Sequence, residues 1–423
     1  VEKRSNHDKA NDLAVELKSD ALSNVRIAVC MGGGIAAIEV PKVVRELRRL
    51  GADVRVFATE SALKFVGKDA LEWASTKPVV VQSGGLAEHV AQEDTLLVFP
   101  ATTDLIGKAA NGICPDACST YIQSALGREM TTVFLPTMHD SLRNSPAFKD
   151  NMRRLSQFRG VSFIEPRIEE GKWKSPSPET IALEVAFRHN QAQWLQNGGS
   201  RPKALVTLGG TATKIDLART ITNLSTGTLG AILVRKLLEQ GIQVTALCGH
   251  HTATLSACSE LRAIDCREFS SMEKHINELG QSESFSAFFH IAAVSDYGTE
   301  KTVDKKISST ANELELKLTR LPKLIASPSL AKIPFRSACK FTSTDGPEDL
   351  KKAQKLLKEN KLDAVIWNWG EAAFGSTDNK QKSIMLRKDG SQQQLQDKDH
   401  IASSLVEELI SNLRKANLQN EGN

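Results

Sequence analysis

The stretch Val25–Thr59, VRIAVCMGGGIAAIEVPKVVRELRRLGADVRVFAT, decides the fold. It begins with an apolar run of strand length and breaks at three glycines. A segment with Pro41 early in it and basic residues along it follows, Gly51 stops that segment, and a second apolar run closes the unit. Strand, glycine turn, helix and strand in this order make a parallel crossover, because two parallel strands need a long connection between them.

The same grammar continues. DTLLVFP is a strand, ATTDLIGKAANG opens a helix, and MTTVFLP is a further strand. Texture changes at NQAQWLQNGGSRPK, where Gly, Ser and Pro mark a linker. A second series then starts with KALVTLGGT as a strand, TGTLGAILVRKLLEQG as a helix and QVTALCG as a strand. Further strands are expected at AFFHIAAV and DAVIWNW, and helices at GPEDLKKAQKLLKEN and HIASSLVEELISNLRKAN. The expected class is α/β with two doubly wound domains. Residues 1–24 read as a polar extension, 25–190 as the first domain, 191–203 as the linker and 204–423 as the second domain.

Composition narrows the function. Hydrophobic residues are 40% and charged residues 25% of 423, the balance of an ordinary globular protein. The formal net charge is only +4 and the basic residues are scattered, which argues against a nucleic-acid partner. Seven cysteines without a paired CxxC motif read as reduced thiols. No apolar segment of spanning length and no apolar leader is visible, so a cytoplasmic location without a membrane partner is expected.

Both series place glycines where a strand feeds a helix, so backbone N–H groups and a positive helix end can face an anion. Taken alone, such a turn is equally a tight connection. The second one, VTLGGTATKIDLARTITNLSTGTLG (Val206–Gly230), concentrates Asp216, Arg219, Asn223, Ser225, Thr226 and Gly227 just before a helix. This run resembles the signature of phosphopantothenate–cysteine ligases. So do AAVSDYGTEKTVDKKIS (the family's AAVADY and KIKK), NELELKLTRLPKLIA (its ELxLxLxRxPDIL), and DAVIWNWGEAAFGSTDN with its FGSxxN loop. The resemblance implies Asn223 and Arg219 at an acyl-nucleotidyl intermediate. It puts Gly209, Gly210 and Thr211 under phosphates, with Ser225, Thr226, Gly227, Ala293, Phe341 and Asn368 also on the nucleotide and substrate side. Asp296 would lie near the nucleotide or Mg²⁺, and Lys306 would steady charge as the nucleotide leaves. Asp304, Lys305 and Lys306 read by themselves as an exposed charged turn.

The first domain is similar to the flavin-dependent cysteine decarboxylases that are fused ahead of this ligase in bacteria. GGGIAAIE fits their GGIAAYK flavin-phosphate turn, TESALKF their T-x-x-A-x-x-F, and EHVAQEDTLLVFPATTDL their histidine and PATANT segment. The resemblance implies a flavodoxin-like or Rossmann-like domain holding FMN through Gly33, Gly34, Ile35, Ala36, Thr59, Ser61, Ala101 and Thr102, with His89 on the catalytic position. It further implies coenzyme A biosynthesis: 4′-phosphopantothenate and L-cysteine joined with a nucleotide, CTP by the fused arrangement, then decarboxylation to 4′-phosphopantetheine. The implied assembly is a homo-oligomer of first-domain trimers and ligase dimers, a dodecamer.

Three departures stand out. The decarboxylase Pro-x-Met-Asn-x-x-Met-Trp reads Pro136-Thr-Met-His139-Asp-Ser-Leu-Arg143, so His139 replaces an amide that grips the substrate carboxylate. The cysteine-bearing flap is replaced by FIEPRIEEGKWKSPSPET, which has no cysteine. The ligase KIKK reads KISS, leaving Lys306 before Ser308 and Ser309. Two alternatives follow for the first domain: a scaffold that binds flavin or only trimerises the ligase, or a decarboxylase using His139 or Asp140 on a changed thiol substrate.

Overall fold

In the first half of the chain, successive strand residues point alternately into two apolar layers, and both layers are buried. This was established from a computed structural model, in which residues 12–170, 172–196, 198–299, 304–308, 312–370 and 380–421 are described. Strands β1 (Arg26–Met31), β2 (Asp53–Ala58), β3 (Thr95–Ala101), β4 (Thr131–Pro136) and β5 (Val161–Phe163) form one parallel sheet in the order β2-β1-β3-β4-β5. Ile27, Val29 and Met31 face α1 (Val40–Arg49), α2 (Lys68–Ser75) and α6 (Pro178–Gln196). Ala28, Cys30 and Val98 face α3 (Thr103–Asn111), α4 (Ala117–Gly127) and α5 (Pro146–Leu155). Burial on both faces is what a parallel sheet requires, and it explains the nearly unbroken apolar runs of the strands. A hairpin, β6 (Arg167–Glu169) with β7 (Lys172–Lys174), follows the sheet.

The second half builds a larger sheet from β8 (Lys203–Leu208), β11 (Gln243–Cys248), β12 (Leu261–Asp265), β13 (Ala287–His290), β16 (Phe335–Thr342) and β17 (Ala364–Trp369), closed by the antiparallel β18 (Lys380–Arg387) and β19 (Gln392–Asp397). Two small antiparallel pairs lie outside it: β9 (Ala212–Lys214) with β10 (Thr220–Thr222), and β14 (Tyr297–Thr299) with β15 (Leu318–Arg320). The order β12-β11-β8-β13-β16-β17 is the doubly wound dinucleotide-fold order, with its reversal between β8 and β13. Leu205, Leu247, Phe288, Val365 and Trp367 pack with α8 (Phe269–Ser282) and α9 (Pro347–Glu359). Helices α7 (Thr228–Glu239) and α10 (Lys398–Glu421) bury Leu233, Leu237, Ile401 and Leu405. The α/β class with two doubly wound domains therefore holds.

Contacts divide the chain into two compact units, Val1–Gln196 with Glu239–Gly241, and Asn197–Leu238 with Ile242–Asn423. Two details differ from the sequence expectation. The stretch expected as a linker from 191 is helical through Gln196, since its Gln, Ala, Trp and Leu continue the helix until glycines begin at Gly198. The polar stretch before residue 25 is not wholly an extension: Leu22 is buried, and Lys18 and Leu22 donate backbone hydrogen bonds to Arg49 and Leu50. All seven cysteines are free thiols. Among the described residues no helix is long and apolar enough to cross a membrane.

Candidate functional sites

In the first unit the chain reverses its direction of growth at β1, whose neighbours are β2 and β3, and ligands of such sheets bind beyond the carboxyl ends of the strands at that point. There the glycine turn meets the other two loops. A Cβ on Gly33 would lie 2.5 Å from Ser61 Oγ, and one on Gly32 would lie 2.8 Å from Thr102 Oγ1. Only glycine permits this approach. Thr59 Oγ1 donates to the Met31 carbonyl at 3.1 Å and receives the Ala62 N–H at 3.2 Å, pinning the second loop to the end of β1. Thr102 Oγ1 caps α3 by accepting the Leu105 N–H at 3.3 Å. After Gly34 the chain enters a short 3-10 turn, Ile35–Glu39, that has no side-chain cap. Gly33, Gly34, Ile35, Ala36, Thr59, Ser61, Thr102 and the last residue of β3, Ala101, thus lie where these segments meet and line one cradle at the carboxyl end of the sheet.

The two histidines are placed differently. His89 lies exposed in the irregular segment between α2 and β3. His139 is exposed at the start of a one-turn helix, Asp140–Arg143, and only its neighbour Met138 reaches the cradle's edge, with Thr103 Oγ1 3.7 Å from its sulfur. Four residues on, Arg143 is paired with Asp140 at 3.6 Å and lies over the Trp173 ring of the β6–β7 hairpin at 4.3 Å. The segment that stands in place of the cysteine flap is therefore stacked on the loop that carries His139.

In the second unit β8 ends at Leu208, and the turn Gly209-Gly210-Thr211 wraps against two other loops. A Cβ on Gly210 would lie 2.3 Å from the Asn223 carbonyl oxygen. Thr211 Oγ1 receives the Ser295 N–H at 2.9 Å, and Ser295 Oγ donates to the Thr211 carbonyl at 3.0 Å. Asn223 Nδ2 donates to the Val294 carbonyl at 3.0 Å and the Ala293 carbonyl at 3.4 Å, which fixes the carboxamide. Ser225 Oγ accepts the Gly227 N–H at 3.3 Å, and the Thr226 hydroxyl meets that of Thr228 at 2.8 Å, at the head of α7. Gly209, Gly210, Thr211, Asn223, Ser225, Thr226, Gly227 and Ala293 are accordingly one neighbourhood.

Within the chain, Arg219 is engaged with Asp216. Asp216, 2% exposed, takes the N–H groups of Ala218 (2.7 Å) and Arg219 (2.8 Å) on one oxygen, and the Ile307 N–H (3.0 Å) and the Arg219 guanidinium on the other. Arg219 Nη1 also donates to the Ile307 carbonyl at 3.3 Å. Ile307 is held by both of its backbone groups, which fixes the course of the chain next to the exposed Lys306. These donors, the Ile307 N–H foremost, hold the Asp216 carboxyl down at about 2. Its stabilising contribution is complete above the ordinary carboxylate range near 4 and is lost as pH falls toward 2. We expect the second unit to withstand pH 5 and to unfold in the interval below 4, with Asp216→Asn raising the acid midpoint in a circular-dichroism titration.

Asp296 is exposed and ion-paired with Lys323. Phe341 and Asn368 face each other on β16 and β17. The FGSxxN loop, Phe374–Asn379, and Ser309 lie outside the described residues. Among the described residues no three His, Cys, Asp or Glu side chains gather as a metal cluster. Sequence reasoning missed Ser295, which stood in a quoted motif as one small polar residue among several.

Family models match both units: one described as Flavoprotein covers residues 16–188, and one described as DNA/pantothenate metabolism flavoprotein C-terminal domain covers 200–413. The coenzyme A biosynthesis bifunctional protein CoaBC of Thermococcus kodakarensis is 32% identical, over 86% of this chain and 89% of its own. The CoaBC protein of Methanocaldococcus jannaschii is also 32% identical, over 83% and 85%. A solved DNA/pantothenate metabolism flavoprotein from Streptococcus pneumoniae is 26% identical with a TM-score of 0.44, covering 50% of this chain and 99% of its own. The chain belongs to the bifunctional coenzyme A biosynthesis family, in which a flavoprotein phosphopantothenoylcysteine decarboxylase domain is joined to a phosphopantothenate–cysteine ligase.

Proposed function

We propose that the second unit joins 4′-phosphopantothenate to L-cysteine through a mixed anhydride with a nucleoside monophosphate, CTP being the nucleotide. A carboxylate oxygen of phosphopantothenate attacks the α-phosphorus and pyrophosphate leaves. The cysteine amine then attacks the acyl carbon, the new C–N bond forms and the nucleoside monophosphate departs. The observation that carries this proposal is the meeting of the Gly209–Thr211 turn, the Ala293–Ser295 loop and the fixed Asn223 carboxamide at the end of β8, beside the reversal of strand order where such sheets take nucleotides. Lys306, placed by its neighbour Ile307, would steady the departing phosphate. Asp296 is the carboxylate suited to Mg²⁺, which is commonly held by one or two carboxylates and the substrate's own phosphates. Incubation with phosphopantothenate, cysteine, Mg²⁺ and either CTP or ATP, with products identified by mass, tests this directly. Amide formed with ATP alone would overturn the nucleotide assignment, and no amide with either would overturn the ligase mechanism.

The first unit is proposed to hold FMN by its phosphate on the Gly33–Ala36 turn, with the Ser61 and Thr102 loops as walls. FMN supplies the two-electron chemistry that makes a cysteine carboxylate a leaving group. Binding and orientation fall to the cradle, whereas the carboxylate grip expected at His139 has a changed shape and charge behaviour. Decarboxylation after ligation is therefore proposed to depend on His139, and CO₂ release abolished in His139→Ala would support it. Ligation without CO₂ release would favour the scaffold role. We also expect Gly33→Ala to remove the visible flavin absorbance while ligation continues, because the added methyl would meet the Ser61 side chain at 2.5 Å and its backbone carbonyl carbon at 2.8 Å.

A further inference from the structure

We infer that Arg143 binds the carboxylate of the acylcysteine in the first unit, through its two Nη groups and with the Trp173 ring as backing; the inference rests on the decarboxylase role proposed above. The loop Thr137–Arg143 leaves β4 at the carboxyl end of the sheet, beside β3, whose last residue lines the cradle. The β6–β7 hairpin follows β5, the next strand at that end. His139 and Arg143 belong to one turn, since the Arg143 N–H donates to the His139 carbonyl at 3.1 Å. Arg143 therefore stands one helical turn from the residue at which the substrate carboxylate is expected.

The guanidinium is held in place but its donors are not spent. Its carbon lies 4.3 Å from the centre of the Trp173 ring, a cation–π stack that covers one face. Asp140 Oδ1 stands 3.6 Å from Nε, too far for a hydrogen bond. Nε is enclosed and has no hydrogen-bond partner. The enclosure stops at Nε: the side chain is 34% exposed, and both Nη groups reach solvent without a partner among the described residues. A planar fork covered on one face, with two donors open at its end, matches a carboxylate, which takes two such bonds at once. Arg167 and Lys174 of the hairpin are ion-paired with Glu169 and Glu170 and so are engaged within the hairpin itself. The 4′-phosphate is at the far end of the acylcysteine from its carboxylate, so one turn shared with His139 favours the carboxylate.

The test uses the full-length protein loaded with FMN, titrated with phosphopantothenoylcysteine and with 4′-phosphopantetheine, which keeps the phosphate and lacks the carboxylate. Binding is read from the change in the flavin spectrum, which reports on the first unit. We expect the Kd for the acylcysteine to rise roughly tenfold to a hundredfold in Arg143→Gln, since charge-assisted bonds are lost. Arg143→Lys keeps the charge without the fork, and Trp173→Ala removes the backing, so each should give a smaller rise. The Kd for phosphopantetheine should hold within about twofold in all three variants. An unchanged acylcysteine Kd in Arg143→Gln overturns the inference. Equal losses for both compounds also overturn it, because they mean a phosphate contact or a merely structural role. If Arg143→Gln does not retain flavin, Arg143→Lys and Trp173→Ala decide by the same comparison. A parent protein that binds the acylcysteine but releases no CO₂ overturns the decarboxylase role instead, a separate outcome, and one that takes up no FMN overturns the flavin site and this inference with it.

Discussion

Gly210→Ala is expected to slow ligation by at least about a hundredfold while the first unit keeps its spectrum. The added methyl would sit 2.3 Å from the carbonyl oxygen of Asn223, and that oxygen is backbone, so relief requires the 209–211 turn or the 222–224 segment to move. Either movement breaks geometry on which the site depends: Thr222 Oγ1 donates to the Thr211 carbonyl at 3.0 Å, and Thr211 in turn holds Ser295. A displacement of about 1 Å at a reacting centre costs on the order of a hundredfold in rate. Gly346→Ala is the control, since its Cβ would meet nothing closer than Thr344 Oγ1 at 3.4 Å. Steady-state ligation by the two variants, together with their melting curves, separates loss of the site from loss of the fold. Equal activity would sink the assignment of this turn.

Asp216→Asn is the second large effect expected, a fall of roughly tenfold to a hundredfold in kcat with the second unit still folded at neutral pH. The carboxylate accepts from four donors, and an amide of the same shape must turn one N–H group toward them, leaving at least one buried donor opposed. Lys306 then loses its fixed approach to the site. Because Arg219 serves the same grip, Asp216→Asn and Arg219→Gln should be strongly non-additive, the double variant being hardly worse than either single one. Additive losses would mean that Arg219 acts on substrate separately, as its motif implied.

Much of this was legible along the chain because local rules dominate locally. Apolar runs of strand length next to glycine turns gave both sheets, and the motif loops around Gly33, Thr59, Thr102, Gly210 and Asn223 could be marked one by one. What the sequence could not carry was contact at a distance. Ile307 is 91 residues from Asp216, and nothing in a charged turn announces that its backbone will be grasped. Leu22 escaped notice because a single leucine, with backbone bonds to Arg49 and Leu50, leaves no periodic pattern. Arg143 and Trp173 come from segments that each looked like a loss, of an aromatic in one and a cysteine in the other, and only the fold shows them stacked.

The hold on Ile307 has one more consequence. Asp216 and Arg219 seize an N–H and a carbonyl, which every residue but proline offers alike, so the loop keeps its place whatever its side chains become. Lys306 can then stay on station while the side chains beside it change. Proline at position 307 is the one substitution this anchorage cannot absorb.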